Sequence, residues 1–129
     1  MIDLAIDVDV ILDSSQNQGS IVAKIINIIT AYFSPAVRGL GQNVYVSEIR
    51  RLIQSENGVI SISDIFVYNK VGGQYSSSQT SQPYEDPSTK QIQLVADTVF
   101  AEPTQIYQIR YPNKDITVNV LNFRTINFS

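Results

Sequence analysis

Apolar and polar positions alternate from Leu4 to Leu12, with Leu4, Ile6, Val8, Val10 and Leu12 on one side and Ala5, Asp7, Asp9 and Ile11 on the other. A period of two belongs to a strand with one buried face, so this segment is predicted as the first strand. The period then changes. Ile21, Ile25, Ile28 or Ile29, and Tyr32 recur at steps of three and four, which predicts a helix from about Gln16 to Phe33. Asp13, Ser14 and Ser15, or Ser20, are its candidate caps, and Pro35 stops it. After a link containing Gly39 and Gly41, helical spacing returns at Val46, Ile49, Leu52 and Ile53. Ser47 is placed to cap this second helix, Glu48 suits the positive end of its dipole, and Asn57-Gly58 is expected to close it near Glu56.

Val59 to Tyr68 is rich in Ile, Val, Phe and Tyr and reads as a strand, while the apolar pair Ile65-Phe66 breaks the alternation and predicts a bulge near Asp64. Gly72 to Lys90 turns to Gly, Ser, Gln, Thr and Pro. A loop that long is expected either to move or to be ordered by something outside the domain, with Tyr75 and Tyr84 as its contact candidates. Gln91 to Ala96, Ile106 to Tyr111 and Ile116 to Leu121 read as further strands, with Tyr111 to Asp115 as the turn between the last two. The order strand, helix, helix, strands predicts an α+β fold: one domain over residues 1–129, with a mainly antiparallel sheet and two helices packed on one face. Phe123, Ile126 and Phe128 keep the last segment apolar, so it is expected either on its own core or on a neighbouring subunit. Replacing Phe123 and Phe128 by Ser separates the two: an interface loses its partner, a core unfolds.

Composition narrows the chemistry. The 129 residues contain no Cys and no His, which removes disulfides, thiolate nucleophiles, thiolate or imidazole metal ligands and the usual near-neutral proton shuttle. Nine Lys plus Arg against twelve Asp plus Glu give a net charge of −3, so there is no cationic field to attract a phosphate backbone, and nucleic acid is not an expected partner. The longest apolar-rich stretch, Ile21 to Phe33, falls short of the roughly 20 residues that span a bilayer, and Met1-Ile2-Asp3-Leu4 has no basic segment before an apolar one. No membrane partner or secretory leader is expected. Asp7, Asp9 and Asp13 are the nearest approach to a metal or acid–base cluster, yet Val10-Ile11-Leu12 fills the space where a calcium loop needs oxygen ligands. They read as the solvated face of a strand. Gly72-Gly73-Gln74-Tyr75-Ser76 lacks the Gly-Lys-Ser/Thr of a phosphate loop, and Tyr107, Arg110 and Tyr111 read as core or cross-strand residues rather than a stacking surface. No catalytic residue, metal ligand or cofactor is assigned, and the chain is not expected to be an enzyme.

The strand Ala5 to Leu12, the helix ending in Ala31-Tyr32-Phe33-Ser34, the link Leu40-Gly41-Gln42-Asn43-Val44, the helix Ser47 to Gln54 and Asn57-Gly58-Val59 follow one another in a distinctive order. Together with Ile109-Arg110-Tyr111-Pro112-Asn113-Lys114-Asp115-Ile116-Thr117-Val118, they resemble the C-terminal part of bacteriophage baseplate wedge proteins, the baseplate J-like family and the related wedge protein of T4-type contractile tails. The resemblance spans roughly residues 5 to 120, and members of that family are generally longer at the N-terminal side. It implies a structural virion protein of the tail baseplate, assembled in the host cytoplasm. Its partners would be other copies of itself and other wedge proteins, in sectors that close into a ring. On this reading Tyr32, Phe33, Tyr75, Tyr84, Phe123, Ile126 and Phe128 are the candidate interface residues. The competing expectation is a recognition module in which the loop from Gly72 to Lys90 binds a host carbohydrate or protein.

Overall fold

The computed structural model describes residues 1–121. The alternating segment forms strand β1, Ile2–Leu12, and Ile2, Leu4, Ile6, Val8, Val10 and Leu12 are all at most 1% exposed. Strand β3, Val59–Lys70, pairs with it antiparallel from Asp3↔Lys70 to Leu12↔Val59. The register shifts twice, leaving Ser63 and then Ile60 without an opposite residue; the first shift is the bulge expected near Asp64.

On its other side β1 takes two partners in line, both parallel: β7, Tyr107–Gln108, beside Ile2 and Asp3, and β8, Ile116–Val120, beside Ile6 to Val10. Two short strands complete the far side, β4 (Tyr84–Asp86) and β5 (Gln91–Ile92), in the order β4-β5-β3-β1-β7 with β8 also on β1. The fold is α+β as expected, but the sheet is mixed rather than mainly antiparallel. The reason is the path of the chain. A parallel neighbour requires a long crossover, and residues 93–106 supply one that carries the chain from the β5 side back to the free side of β1.

Three helices are present rather than two, and the order is not strand, helix, helix. Helix α1, Gln18–Tyr32, buries Ile21, Ile25 and Ile29, and α2, Val46–Gln54, buries Val46, Ile49 and Ile53. Between them lies β2, Val44–Tyr45, which pairs antiparallel with β6, Thr98–Val99. The third helix, α3, is the single turn Pro112–Asp115 where a loop turn was expected; Pro112 starts it with the φ a helix requires. Asn17 caps α1 by accepting from the Ser20 amide at 3.1 Å, while Asp13 accepts from Ser15 in its own turn. Ser47 lies inside α2, whose first amide instead donates to the Asp97 carbonyl at 2.9 Å. The strands expected at 91–96 and 106–111 shrink to two residues each.

The turn from α2 into β3 is fixed by Gly58, at φ +100°, whose carbonyl accepts from the Asp13 amide at 2.8 Å. A Cβ there would lie 2.5 Å from Ile21 Cδ1. Gly58→Ala is expected to destabilise the fold by about 2 kcal/mol through strain and overpacking. Gly72→Ala, also at positive φ but facing open space, costs only about 1 kcal/mol from the backbone. Urea midpoints of the two variants measure the difference.

Candidate functional site

The odd positions of β1 point away from the helices. Across the sheet, Asp3, Ala5, Asp7 and Asp9 stand opposite Lys70, Tyr68, Phe66 and Asp64, while Thr117 and Asn119 of β8 flank Asp7 and Asp9. Four carboxylates therefore share one face. They divide into two environments.

Asp3 is completely buried. Its Oδ2 accepts from the Ser76 amide at 2.8 Å and from Arg110 Nε at 2.9 Å, and its Oδ1 accepts from the Gln108 side-chain amide. Burial pushes this carboxyl up, but the Ser76, Gln108 and Arg110 donors outweigh it and hold the group below its ordinary value. Buried Asp115 accepts from the Tyr75 hydroxyl at 2.9 and 3.1 Å. The Tyr75 ring stacks edge-on against Tyr111 at 5.5 Å, with the Lys70 and Lys114 ammonium groups 5.3 and 5.6 Å from its centre. Burial and the Asp115 carboxylate push the Tyr75 hydroxyl up to about 12. Asn69, also buried, accepts from the Thr80 amide at 2.7 Å, and Thr80 Oγ1 lies 2.7 Å from the Tyr107 hydroxyl, which donates to the Phe100 carbonyl.

These contacts correct the expectation for residues 72–90. That segment is ordered by the domain's own buried polar groups, because a carboxylate and an amide taken out of water need donors, and the loop supplies them. Sequence periodicity gave Asp3 no role, although its parity with Asp7 and Asp9 placed it on the same face.

Asp7 and Asp9 are half-buried and adjacent on that face. Burial first, and then the neighbouring Asp9 charge, raise the Asp7 carboxyl above its ordinary value. Asp9 Oδ1 accepts from Asn119 Nδ2 at 2.9 Å. Among the described residues no group of three or more acidic side chains is placed to hold a metal ion. The chemistry of the face is that of a polar clasp at the Asp3 end and a solvated acidic pair further along β1.

The candidate interface residues are scattered. Tyr32 is half-buried, its hydroxyl accepting from the Tyr45 amide at 2.9 Å and its ring stacked edge-on against Phe33 at 5.2 Å, with the Arg38 guanidinium over both rings. Phe33 is 4% exposed and belongs to the core: as the C-cap of α1 it turns inward where the helix stops, and it offers no surface. Tyr75 is spent on Asp115. Tyr84 is half-buried, donates to Gln79 Oε1 at 2.6 Å and carries the Lys90 ammonium over its ring. Phe123, Ile126 and Phe128 lie outside the described residues.

A different set of apolar side chains is exposed. Besides Ile60 and Val95, these are Met1, Val37, Leu40, Tyr45 and Phe100, all 45 to 65% exposed. The last five sit on three segments tied to one another by Ile2 N to Ile106 O, Gly41 N to Gln105 O and Ala101 N to Asn43 Oδ1, each at 2.8 Å. Separately they look like unremarkable apolar residues in turn-rich links, so no periodic signal marks them. No protein-family model matches this chain, and no curated protein matches it.

The two carboxylate environments predict opposite responses. Asp3 is held ionised, so its contribution is present at neutral pH and is lost as pH falls through and below the ordinary carboxylate range near about 4. Asp3→Asn is expected to cost about 2 kcal/mol at pH 7 and progressively less as the solution is acidified. Asp7, raised, disfavours the folded state when ionised, so Asp7→Asn leaves stability at pH 7 unchanged or increased. Urea titrations of both variants at pH 7 and pH 3 measure the contrast.

Proposed function

We propose that this chain is a non-enzymatic assembly module: a baseplate wedge component of a contractile phage tail, present in the virion after assembly in the host cytoplasm. It associates with copies of itself and with other wedge proteins and helps to close the baseplate ring. The observation that carries this reading is that the exposed side chains of Met1, Val37, Leu40, Tyr45 and Phe100 lie on three segments hydrogen-bonded to one another, in a domain whose buried polar groups serve its own fold. Exposed apolar side chains on segments tied together mark an interaction surface. Assembly through such surfaces asks for complementary area rather than perturbed reactive groups. The family resemblance supports the same reading, and the Leu40-Gly41 link that carries part of it lies on one of these segments. None of the described helices is long and apolar enough to cross a membrane.

The alternative, a loop that recognises a host carbohydrate or protein, has less support, because Tyr75 and Tyr84 are engaged within the domain. Deleting residues 72–90 does not separate the two readings: it would take the Ser76 amide from Asp3, the Tyr75 hydroxyl from Asp115 and the Thr80 amide from Asn69, and destabilise the fold itself.

Light scattering coupled to size exclusion, over a concentration series, tests the self-association. A dimer or larger species is expected, and a strict monomer at the highest concentration overturns that part of the proposal. The exposed apolar set is tested by Val37→Asp with Leu40→Asp. Both side chains are more than 60% exposed, so the urea midpoint is expected to stay within about 0.5 kcal/mol of the parent. Association with other wedge proteins should weaken at least tenfold.

A further inference from the structure

The two sides of the sheet are not equally protected. On the β3 side, bulges at Ser63 and Ile60 interrupt the edge, and Gln54 Nε2 donates to the Ile60 carbonyl at 3.1 Å. Short β5 pairs only at Tyr68, with β4 beyond it, and the stretch between carries the charge of Asp64. Bulges, short strands and covering side chains are the usual ways in which an edge is prevented from pairing with another chain.

Among the described residues, strand β8 has no bulge and no covering strand. Its five residues, Ile116-Thr117-Val118-Asn119-Val120, pair with β1 without a register shift and contain no charged residue and no proline. The Leu121 amide donates to the Val10 carbonyl at 2.8 Å. Residues two apart on a strand aim their backbone groups the same way. Thr117, Asn119 and Leu121 therefore face β1, and Val118 and Val120 present their N–H and C=O groups outward. Among the described residues, no strand pairs with that outer edge.

The geometry points to this edge as the contact between two copies of the chain, joined by antiparallel pairing of β8 with β8 about a two-fold axis at Val118. The inference rests on the reading of the chain as a self-associating module and specifies where the association occurs. What selects a second copy is the self-complementarity of the five residues. Centring the pair on Val118 sets Val118 against Val118, Ile116 against Val120 and Thr117 against Asn119. Outward-facing backbone groups then meet outward-facing backbone groups. The apolar side chains that line the helix-covered face continue into those of the second copy, and the hydroxyl of Thr117 meets the amide of Asn119 on the open face. No like charges face each other, although each copy carries a net −3. A shift of one residue would set outward groups against inward ones and apolar side chains against polar ones. The β3 edge, with bulges at Ser63 and Ile60 and the Asp64 charge between β5 and the bulges, does not match the regular uncharged β8 edge for head-to-tail growth, so the contact closes as a two-fold pair.

Cysteine cross-linking tests the register directly, since the chain has no cysteine of its own. In this pairing, Thr117 of one copy lies opposite Asn119 of the other at a non-hydrogen-bonded position, with Cα atoms about 4.5 Å apart, within disulfide reach. Like positions lie diagonally, at roughly 7–8 Å, beyond it. Under mild oxidation an equimolar mixture of Thr117→Cys and Asn119→Cys proteins is expected to give a covalent dimer, with either protein alone giving at least tenfold less. In parallel, Val118→Pro removes an outward amide while sparing the ladder to β1, and should reduce the associated mass to half or less with the circular dichroism spectrum retained. If Val118→Pro fails to fold, the cysteine mixture decides alone. A wild-type chain that associates, with no disulfide from the mixture, overturns the β8 contact and leaves self-association standing at another surface. A wild-type chain that stays monomeric, again with no disulfide, overturns both.

Discussion

The fold is organised by the central position of β1, which has neighbours on both sides and both of its faces put to use. On one face, six aliphatic side chains from Ile2 to Leu12 are excluded from water beneath α1 and α2. Fully burying such a side chain is worth about 1.5–3 kcal/mol relative to leaving it exposed, so this strand alone contributes a large share of the hydrophobic stabilisation. On the other face, the same strand carries Asp3, Asp7 and Asp9. Its two edges are held by β3 and by β7 with β8. Removing β1 would leave the helices without a floor and the remaining strands without a common neighbour.

Asp3 connects that framework to the least regular part of the chain. A buried carboxylate is unfavourable unless its oxygens are met by donors. Here they come from the loop after β3 (Ser76) and from β7 and its extension (Gln108 and Arg110). Asp115 and Asn69 act similarly, drawing in Tyr75 and Thr80. The loop is ordered by electrostatic satisfaction rather than by apolar burial, which explains how a segment rich in Gly, Ser and Gln keeps a defined path. The same arrangement takes these polar groups out of circulation as reactive or binding groups.

Among the described residues, two features stand apart from these internal uses: the exposed apolar side chains on three hydrogen-bonded segments, and the regular, uncharged edge of β8. They are differently directed, and they suit different contacts. An apolar cluster accommodates a partner of another sequence, whereas a strand edge pairs most readily with a strand of matching alternation. On the proposed assembly role, two such surfaces would let each copy meet more than one neighbour.

The sequence by itself determined the elements whose pattern is periodic. The alternation of Leu4 to Leu12, the three- and four-residue steps of Ile21, Ile25 and Ile29 and of Val46, Ile49 and Ile53, and the broken alternation before Ile65 all reflect which side of a local structure is buried, and local geometry sets that period. The tertiary structure alone decided the parallel placement of β7 and β8, since pairing direction depends on a crossover that no local pattern encodes. It also decided the conversion of Pro112–Asp115 into a helical turn and the ordering of residues 72–90. Asp3 was legible as a member of the odd face of β1, but its burial depends on Ser76, Gln108 and Arg110, residues 73 to 107 positions away in the chain. The exposed set Val37, Leu40, Tyr45 and Phe100 was equally invisible beforehand. A surface assembled from separate links has no period, and only the packing that brings those links together creates it.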